Sequence, residues 1–473
     1  MNPGSRMTKI VATVGPASDA PDTLRKMIEA GMNVARLNLS HGTFEEQTAR
    51  AERIRQAAAA LGANVAVMAD TRGVEIRTGP VQGGFAELQP GKFFTLYTDR
   101  RNGSAEGVAV SHPGLPEEVE PGTRILLDDG AIELRVVEAK AGAIQCRVVE
   151  GGRLEGGRGV NLPDGTVQRN ALSGQDREDL LFAAAQGLDY VAASFVQSAS
   201  DVRAIQHTLA GAGLPIPVIA KIENREGVRN LEEIVACASG TMVARGDLGV
   251  EIPLEDVPLA QKRIIHTTVR NGKPVITATQ MLSSMERSPR PTRAEVSDVA
   301  NAILDGTSAV MLAGETAVGR FPVEAVRTMA RVAERSEAAL PQYGHLQQIL
   351  PEPSNVVTEA VSQAAITMAH HLDSAAIITL TESGFTPRAI SKHRPRCPIL
   401  AVTPSPRVVS ALALNWGVTA IRYDAERSDD AMIAFAIEHL RLSGRVRPGD
   451  VVVATAGISQ APGSTNRISV IPV

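Results

Sequence analysis

PVIAKIENREG (residues 217–227) and TMVARGDLGVEIP (residues 241–253) decide the fold. Each is an apolar β-type run that stops at charged residues, Lys221 and Glu223 in the first, Arg245 and Asp247 in the second. The two carboxylates are about one strand–helix repeat apart, so in a parallel α/β barrel they lie on one rim, at the C-terminal ends of neighbouring strands. Two oxygen ligands beside a lysine suit a magnesium ion and a phosphorylated substrate.

Similar β-type runs recur along the chain, and most are followed by a helical pattern. They begin at Thr8, Asn33, Asn64, Asp189, Pro217, Thr241, Pro274 and Ser308. Eight strand–helix units in series predict a closed (β/α)8 TIM barrel, formed by residues 1–72 and 171–345.

One long gap interrupts this series, between Asp70 and Asp189. Its middle is rich in glycine and in short alternating runs, which is typical of an all-β unit. We therefore expect residues 73–170 to form a small β-barrel domain inserted after the third barrel strand. Because it leaves from the rim that carries the charged strand ends, it is placed to act as a lid.

A further composition change near residue 345 predicts a third domain. β-type runs follow within residues 346–473, with helical patterns between the earlier ones, so an open α/β domain is expected there.

The bulk composition excludes several classes of protein. The 473 residues carry a formal net charge of −4, which gives no general attraction to nucleic acid. Three scattered cysteines argue against a zinc site or a disulfide framework and fit a reducing compartment. With no apolar signal core and no run able to span a bilayer, we expect a cytoplasmic protein without nucleic-acid or membrane partners.

Polar residues follow six of the predicted barrel strands. They are Arg36, Asn38, Ser40, His41, Asp70, Thr71, Arg72, Glu75, Arg77, Ser194, Lys221, Glu223, Arg245, Gly246, Asp247, Thr279 and Gln280. Taken singly, Asp247 could cap a helix, Asp70 could close a turn, and Arg36 could pair with a rim acid for stability. Taken together, they would be costly to desolvate unless a cation and an anionic ligand balanced them.

Seven motifs on consecutive predicted elements resemble, in order, those of the pyruvate kinase family. They are MNVARLNLSHG, DTRGVEIRTG, AKIENREG, MVARGDLGVEIP, TATQML, PTRAEVSDVANAILDG and VMLAGETAVGRFP. The resemblance extends over essentially the whole chain. It implies transfer of the phosphoryl group of phosphoenolpyruvate to ADP, which gives pyruvate and ATP, the last step of glycolysis.

The resemblance also implies roles around the substrate. Glu223 and Asp247 would bind Mg²⁺ or Mn²⁺, and Lys221 would neutralise the moving phosphoryl group. Arg36 would clamp the substrate phosphate, and Thr279 would belong to the route that protonates the enolate. Substrate binding would also involve Ser194 and the backbone amides of residues 245–247, namely Arg245, Gly246 and Asp247.

A second set of implied roles concerns potassium and the nucleotide. Asn38, Ser40, Asp70 and Thr71 match the family's monovalent-cation site, and Glu75 matches a position where an acid accompanies potassium dependence. The nucleotide phosphates would face Asn38, His41, Arg77 and Arg158.

Some positions depart from the family pattern. Arg72 and Arg158 each occupy a position where the family usually has a lysine. Val74 occupies the position of a usual proline, and Ala313 that of a usual serine. The two arginines keep the positive charge of the lysines they replace. We therefore expect these replacements to affect nucleotide affinity more than the reaction itself.

A loop in the third domain, TLTESGFTPRAISKH from Thr379, could cradle a phosphate through Thr381, Ser383, Gly384 and Thr386. An ordinary helix start is the alternative. The loop resembles the effector loop of allosteric pyruvate kinases, and the acid at Glu382 favours a sugar or nucleotide monophosphate over a bisphosphate. The family also suggests a homotetramer.

Two other functions compete with this interpretation. One is a magnesium-dependent barrel lyase that makes or uses the pyruvate enolate, and the other is a catalytically silent relative that binds metabolites. The lyase has no use for Arg77 or a nucleotide-facing lid, and a silent relative would be expected to lack Lys221, Glu223, Asp247 or Thr279.

Overall fold

The computed structural model describes residues 6–73, 75–163, 172–344, 356–425, 428–457 and 465–473. Eight parallel strands close into a barrel, and all eight lie at the predicted runs. The barrel strands are β1 (Lys9–Thr13), β2 (Val34–Asn38), β3 (Ala66–Asp70), β12 (Tyr190–Ala193), β13 (Val218–Ile222), β14 (Gly240–Ala244), β15 (Val275–Ala278) and β16 (Ala309–Leu312).

Alternation along the barrel strands determines which residues face the axis. In β13, Ile219 packs in the inner cluster, whereas Val218 and Ala220 pack against the helices outside. Because successive side chains point to opposite faces, Lys221 shares the inner side with Ile219. The same parity turns Arg36 inward after Val34, and Asp70 inward after Met68.

Helices surround the barrel and cover its outer cluster. They are α1 (Pro21–Glu29), α2 (Phe44–Ala60), α3 (Gly174–Ala185), α4 (Ala199–Gly211), α5 (Arg225–Arg229), α6 (Leu231–Cys237), α7 (Arg245–Glu251), α8 (Val257–Arg270), α9 (Arg293–Leu304), α10 (Gly314–Ala317), α11 (Pro322–Glu337) and α12 (Leu340–Tyr343). Capping boxes at Thr43, Ser173 and Thr292 satisfy the first amides of α2, α3 and α9.

The insertion between β3 and β12 is all-β, as predicted. Its strands are β4 (Phe85–Leu88), β5 (Phe93–Tyr97), β6 (Gly107–Ala109), β7 (Arg124–Leu127), β8 (Ile132–Lys140), β9 (Ala143–Glu150), β10 (Gly152–Glu155) and β11 (Val160–Asn161). Six form a sheet in the order β11-β7-β8-β9-β5-β6, and β10 pairs with β4. Bridges from Arg77 to Gly159 and from Thr78 to Val110 join the two edges of that sheet, so it closes on itself.

The C-terminal part is an open α/β sheet in the order β19-β18-β17-β20-β21, with β21 antiparallel to β20. Its elements are α13 (Val356–His371), β17 (Ala376–Leu380), α14 (Phe385–Ser391), β18 (Ile399–Thr403), α15 (Pro406–Ala411), β19 (Val418–Arg422), α16 (Asp429–Leu442), β20 (Val451–Gly457) and β21 (Thr465–Pro472). The expected boundaries at residues 170/171 and 345/346 lie outside the described residues.

This sheet unit packs on the barrel end opposite the polar rim. Lys9 at the start of β1 donates to the Val418 carbonyl at 2.6 Å, and Tyr190 at the start of β12 donates to the Ser410 carbonyl at 3.1 Å. The rim is therefore left to the β insertion. Within the described ranges, no helix combines the length and the apolarity needed to cross a membrane.

Candidate active site

The Lys221 ammonium lies at the centre of the rim. It contacts Asp70 Oδ1 at 3.1 Å, Glu223 Oε1 at 2.8 Å and Ser194 Oγ at 2.7 Å. An ammonium has three N–H donors, and here three acceptors receive them, so the nitrogen is held in one place. Burial alone lowers the pKa of Lys221, but Asp70 and Glu223 raise it above its ordinary value. The residue is a fixed positive charge at neutral pH.

Arg36 and Asp70 form a second buried ion pair beside this lysine. Arg36 Nε lies 2.6 Å from Asp70 Oδ2, and Arg36 also donates to Thr13 Oγ1 at 3.0 Å. Burial acts to raise the pKa of Asp70, but Arg36 and Lys221 together hold it below its ordinary value. The pairing of Arg36 with a rim acid, considered from the sequence as a structural alternative, is present in the structure.

Glu223 and Asp247 place further negative charge on the same rim. The Glu223 side chain is 1% exposed, and its Oε2 accepts from the Phe195 amide at 2.6 Å. Asp247 lies in the first turn of α7, and the N-cap residue of that helix is Ala244, so Asp247 is not the N-cap. Burial, and next the charge of Glu223, raise the pKa of Asp247 to about 7.

The balance of positive and negative side chains on the rim shows whether these residues suit a divalent cation. Two cationic side chains face three carboxylates, and the third carboxylate, Asp247, is the one whose ionised form is disfavoured. A divalent cation between Glu223 and Asp247 would remove that repulsion and leave net positive charge for an anionic substrate. The residues therefore fit the ion.

The described residues contain no group of three or more His, Cys, Asp or Glu side chains arranged to hold a metal ion. Two carboxylates completed by waters and substrate oxygens are a common environment for Mg²⁺, which retains water readily. The donor set thus indicates a cation shared with the substrate.

The RGD turn is fixed by contacts that the sequence did not reveal. Arg245 makes a two-pronged ion pair with Asp298, at 2.7 Å for each nitrogen–oxygen pair, and donates to the Thr279 carbonyl at 2.6 Å. The Gly246 amide donates to Thr279 Oγ1 at 2.9 Å. The Arg245 guanidinium thus holds the turn, and among residues 245–247 the Gly246 amide already has a partner within the chain.

Thr279 has an unusual backbone for a β-branched residue, with φ at 68°, and Gln280 follows at 53°. Left-handed backbone at such a residue marks strain that the surroundings must hold in place. Here the threonine hydroxyl also donates to the Ala278 carbonyl at 2.6 Å.

The four residues assigned to a monovalent cation lie together at the ends of β2 and β3. Asn38 and Asp70 are cross-strand partners, and Asn38 Oδ1 accepts from the Ser40 amide at 3.2 Å. Thr71 Oγ1 accepts from the Ser194 amide at 3.2 Å, and its carbonyl accepts from the Ser194 hydroxyl at 2.7 Å. Asp70 is thus shared between this cluster and Lys221.

The residues assigned to the nucleotide lie on two elements. His41 is exposed in the segment between β2 and α2, while Arg77 and Arg158 meet at the seam that closes the insertion. Arg77 lies 2.6 Å from Glu75 Oε2, and Arg158 pairs with Asp128 at 3.4 Å and with Glu155. These exposed ion pairs are weak enough to rearrange around a ligand.

The departures from the family pattern have local explanations in only some cases. Arg72 donates to the Leu39 carbonyl at 2.5 Å and lies 3.6 Å from Asp179, so it ties β2 to α3. Val74 lies outside the described residues. Nothing in the structure explains Ala313.

The insertion reaches the barrel rim. Asn161 donates to Glu251 Oε1 at 2.9 Å, and Arg225 donates to the Pro163 carbonyl at 3.0 Å. Glu75 and Asp129 of the insertion are close enough to contribute, after burial and Glu223, to the raised pKa of Asp247. The insertion therefore faces the charged strand ends.

In the candidate phosphate loop of the C-terminal unit, several polar groups already make hydrogen bonds within the chain. Thr381 Oγ1 accepts from the Gly384 amide at 2.9 Å, and Thr386 shares a hydrogen bond with Thr465. Gly384 has φ at 77°, a left-handed conformation that favours glycine. The Ser383 carbonyl accepts from Arg388 at 3.1 Å.

Comparison with known proteins decides the family. The family model for the pyruvate kinase barrel domain matches residues 5–326, and that for the pyruvate kinase alpha/beta domain matches residues 359–471. The chain belongs to the pyruvate kinase family. It is 50% identical over 469 residues to the pyruvate kinase of Geobacillus stearothermophilus, and 47% identical over 468 residues to that of Bacillus licheniformis. Both alignments cover 98% of this chain and 80% of the relative.

Three contributors to this pyruvate kinase site were missed in the sequence. Thr13 supports Arg36, Asp298 holds Arg245, and Phe195, with φ at 55°, presents its amide to Glu223. Asp298 lies within PTRAEVSDVANAILDG, so that motif was the available signal. Phe195 acts through its backbone, which leaves no signature in residue type.

Cation binding should depend on pH through Asp247. Because a metal ligand must be ionised, Mn²⁺ affinity should rise by up to about tenfold per pH unit as the pH approaches 7, and then level off. In the cation-free chain, stability from the neutral carboxyl is present at low pH and is lost as the pH rises through about 7. Calorimetric titration of Mn²⁺ between about pH 5.5 and pH 8.5 measures the affinity.

The matched variants are Asp247→Asn, which should weaken binding and remove this pH dependence, and Asp256→Asn, an exposed acid that should leave both unchanged. A wild-type affinity that stays flat over the range would contradict the assignment of Asp247.

Proposed function

We propose that this chain transfers the phosphoryl group of phosphoenolpyruvate to ADP, giving pyruvate and ATP in the last step of glycolysis. The observation that supports this most directly is the Lys221 ammonium, fixed by Asp70, Glu223 and Ser194 beside a third carboxylate, Asp247. A preorganised positive charge of this kind stabilises charge that develops on a transferring phosphoryl group.

The substrate anion would lie over this rim. Lys221 would contact the phosphoryl group during transfer, with Ser194 beside it, and Arg36 would exchange part of its pairing with Asp70 for the substrate phosphate. The amides of residues 245–247 would hold the carboxylate, with Gly246 released from Thr279 Oγ1. The Thr279 hydroxyl would also leave the Ala278 carbonyl, to which it donates, to join the route, through water, that protonates the methylene carbon of the enolate.

Glu223 and Asp247 would hold the divalent cation, Mg²⁺ or Mn²⁺, which supplies positive charge to the substrate oxygens when bound. The Phe195 amide and Lys221 orient Glu223 for this role, while Asp247 is placed by the first turn of α7. With these contacts, both ligands are positioned before the ion arrives.

Potassium and nucleotide would occupy the neighbouring rim. Asn38, Ser40, Asp70 and Thr71 would bind K⁺, with Glu75 making the chain dependent on it. The nucleotide phosphates would contact Asn38, His41, Arg77 and Arg158, two of which lie on the insertion. Closure of residues 73–170 as a lid over the barrel of residues 1–72 and 171–345 would exclude water from the transfer.

The C-terminal unit, residues 346–473, would carry regulation. Thr381, Ser383, Gly384 and Thr386 would bind a phosphorylated effector, and the assembly would be a cytoplasmic homotetramer. The left-handed Gly384 and the hydrogen bond from its amide to Thr381 Oγ1 support a preformed phosphate-binding loop.

Replacement of Lys221 by methionine should abolish turnover, because the fixed positive charge is lost. The fold should persist, because no backbone contact is removed. We expect kcat to fall by at least about 10²-fold. The measurement is a lactate-dehydrogenase-coupled assay with phosphoenolpyruvate and ADP, which also separates kinase from lyase activity.

Lys26→Met, an exposed lysine on α1, is the matched control and should keep wild-type kcat. Preserved turnover in Lys221→Met would remove this lysine from its assigned role, and no turnover in the wild type would refute the proposed reaction.

Glu75→Lys should relax the potassium requirement, because an ammonium at that position supplies the positive charge otherwise brought by K⁺. The same coupled assay, run with and without K⁺, measures the ratio of the two rates. Glu87→Lys, on the exposed face of β4, should leave the ratio unchanged. If Glu75→Lys still needs potassium as the wild type does, the assignment of Glu75 is wrong.

The effector should be a sugar or nucleotide monophosphate, because Glu382 opposes a second phosphate. Titrating the wild type with each class at low phosphoenolpyruvate should show activation by a monophosphate and weaker activation by a sugar bisphosphate. Activation by the bisphosphate alone would contradict this.

A further inference from the structure

A cavity of about 370 Å³ lies between the N-terminal end of the barrel and the C-terminal unit. The barrel contributes Tyr190, Pro217, Ser239 and Pro274 to its wall, and α14 contributes Phe385 and Arg388. The volume is within the range of pockets that hold small organic ligands. It is at the opposite end of the barrel strands from the candidate active site.

The guanidinium of Arg388 lines this cavity without an acidic partner. It donates to the Ser383 carbonyl at 3.1 Å and, weakly, to the Ala411 carbonyl at 3.4 Å. Among the residues that the structure describes, no carboxylate pairs with it. A guanidinium has five N–H donors, so donor capacity remains for a ligand.

Two lysines add to the positive charge of the wall. Lys392, one helical turn after Arg388, is 4% exposed and pairs with Glu359, while Lys273 donates to the carbonyls of Val235 and Ala236. Among the described residues that line the wall, Glu359 is the one acid, and Lys392 and His393 already engage it. Arg388 and Lys392 against the single acid Glu359 leave this part of the cavity with an excess of positive charge.

Most of the remaining wall is apolar, although Ser239 and Asn271 also line it. Tyr190, Pro217, Pro274, Phe385 and Ala389 present ring and methyl surface. Tyr190 Oη is directed to the Ser410 carbonyl at 3.1 Å, so its ring is held by both units. A ligand that complements this wall has an oxyanion at one end and an apolar body at the other.

We propose that this cavity binds a small organic oxyanion, a carboxylate or phosphate monoester with an apolar body, whose charge lies between Arg388 and Lys392. The site is separate from the candidate active site, and it adjoins the loop around Gly384 through Phe385 and the contact of Arg388 with Ser383. Because its wall is shared by both units, a bound ligand joins the barrel to the C-terminal sheet.

Because of the position of the cavity, such a ligand could influence the candidate active site through the barrel strands. Tyr190 begins β12, Pro217 precedes β13, Ser239 precedes β14 and Pro274 precedes β15. The other ends of these strands carry or adjoin Ser194, Lys221, Glu223, Arg245 and Thr279. Strands of four or five residues place the two ends roughly 15 Å apart.

The test is calorimetric titration of the full chain with two probes, phenyl phosphate and benzoate, which distinguish phosphate from carboxylate as the preferred head group. Arg388→Gln removes the charge from the C-terminal side and should weaken binding of the preferred probe about tenfold or more. Ser239→Asp adds a negative charge from the barrel side and should weaken it similarly, whereas the matched neutral variant Ser239→Asn should bind as the wild type does.

The two variants also separate this cavity from the neighbouring loop. Ser239 lies on the barrel, so loss of binding in Ser239→Asp cannot come from a disturbed loop around Ser383. If the probe binds all four proteins equally, or if Arg388→Gln alone weakens it, the proposal is wrong. Unchanged thermal unfolding temperatures confirm that each variant is folded.

Discussion

The candidate site depends on one interaction, the placement of the Lys221 ammonium among acceptors from three barrel strands. Asp70 ends β3, Ser194 follows β12, and Glu223 follows β13, the strand that carries the lysine. Removing any one acceptor leaves a buried donor or an uncompensated charge, which is costly in a low-dielectric interior. The same three contacts thus hold the strand ends in register and fix the charge that the proposed reaction requires.

The barrel architecture makes that interaction possible because it separates the residues that form the packed core from the residues that form the candidate site. Inner side chains in the strand interiors are apolar and form the packed core, whereas the next inward positions of β2, β3 and β13 are the charged Arg36, Asp70 and Lys221. The opposite end of the strands packs on the C-terminal sheet unit through contacts such as Lys9 with Val418. The candidate active site at one end of the barrel and the C-terminal sheet unit at the other are therefore joined by strands of only four or five residues.

Most of the fold could be predicted from the sequence, because strand alternation and strand–helix spacing are local patterns. All eight barrel strands and the β insertion followed from them. The site was harder to predict where it depends on long-range or backbone contacts. Asp298 reaches Arg245 across 53 positions, so its place in a motif was its one sequence signal, and Phe195 acts through its amide, which residue type does not reveal. The ion pairs between Arg36 and Asp70 and between Arg77 and Glu75 likewise depend on side-chain geometry, which the sequence does not show.

The central claim is that Glu223 and Asp247 jointly bind a cation beside Lys221. Anomalous diffraction from crystals of the chain soaked in Mn²⁺ tests it most directly, because the ion is located without reference to activity. The account predicts one strong anomalous peak between these two carboxylates, with an oxygen of each at coordination distance. A peak elsewhere on the rim, or the two side chains turned apart with no ion between them, would contradict it.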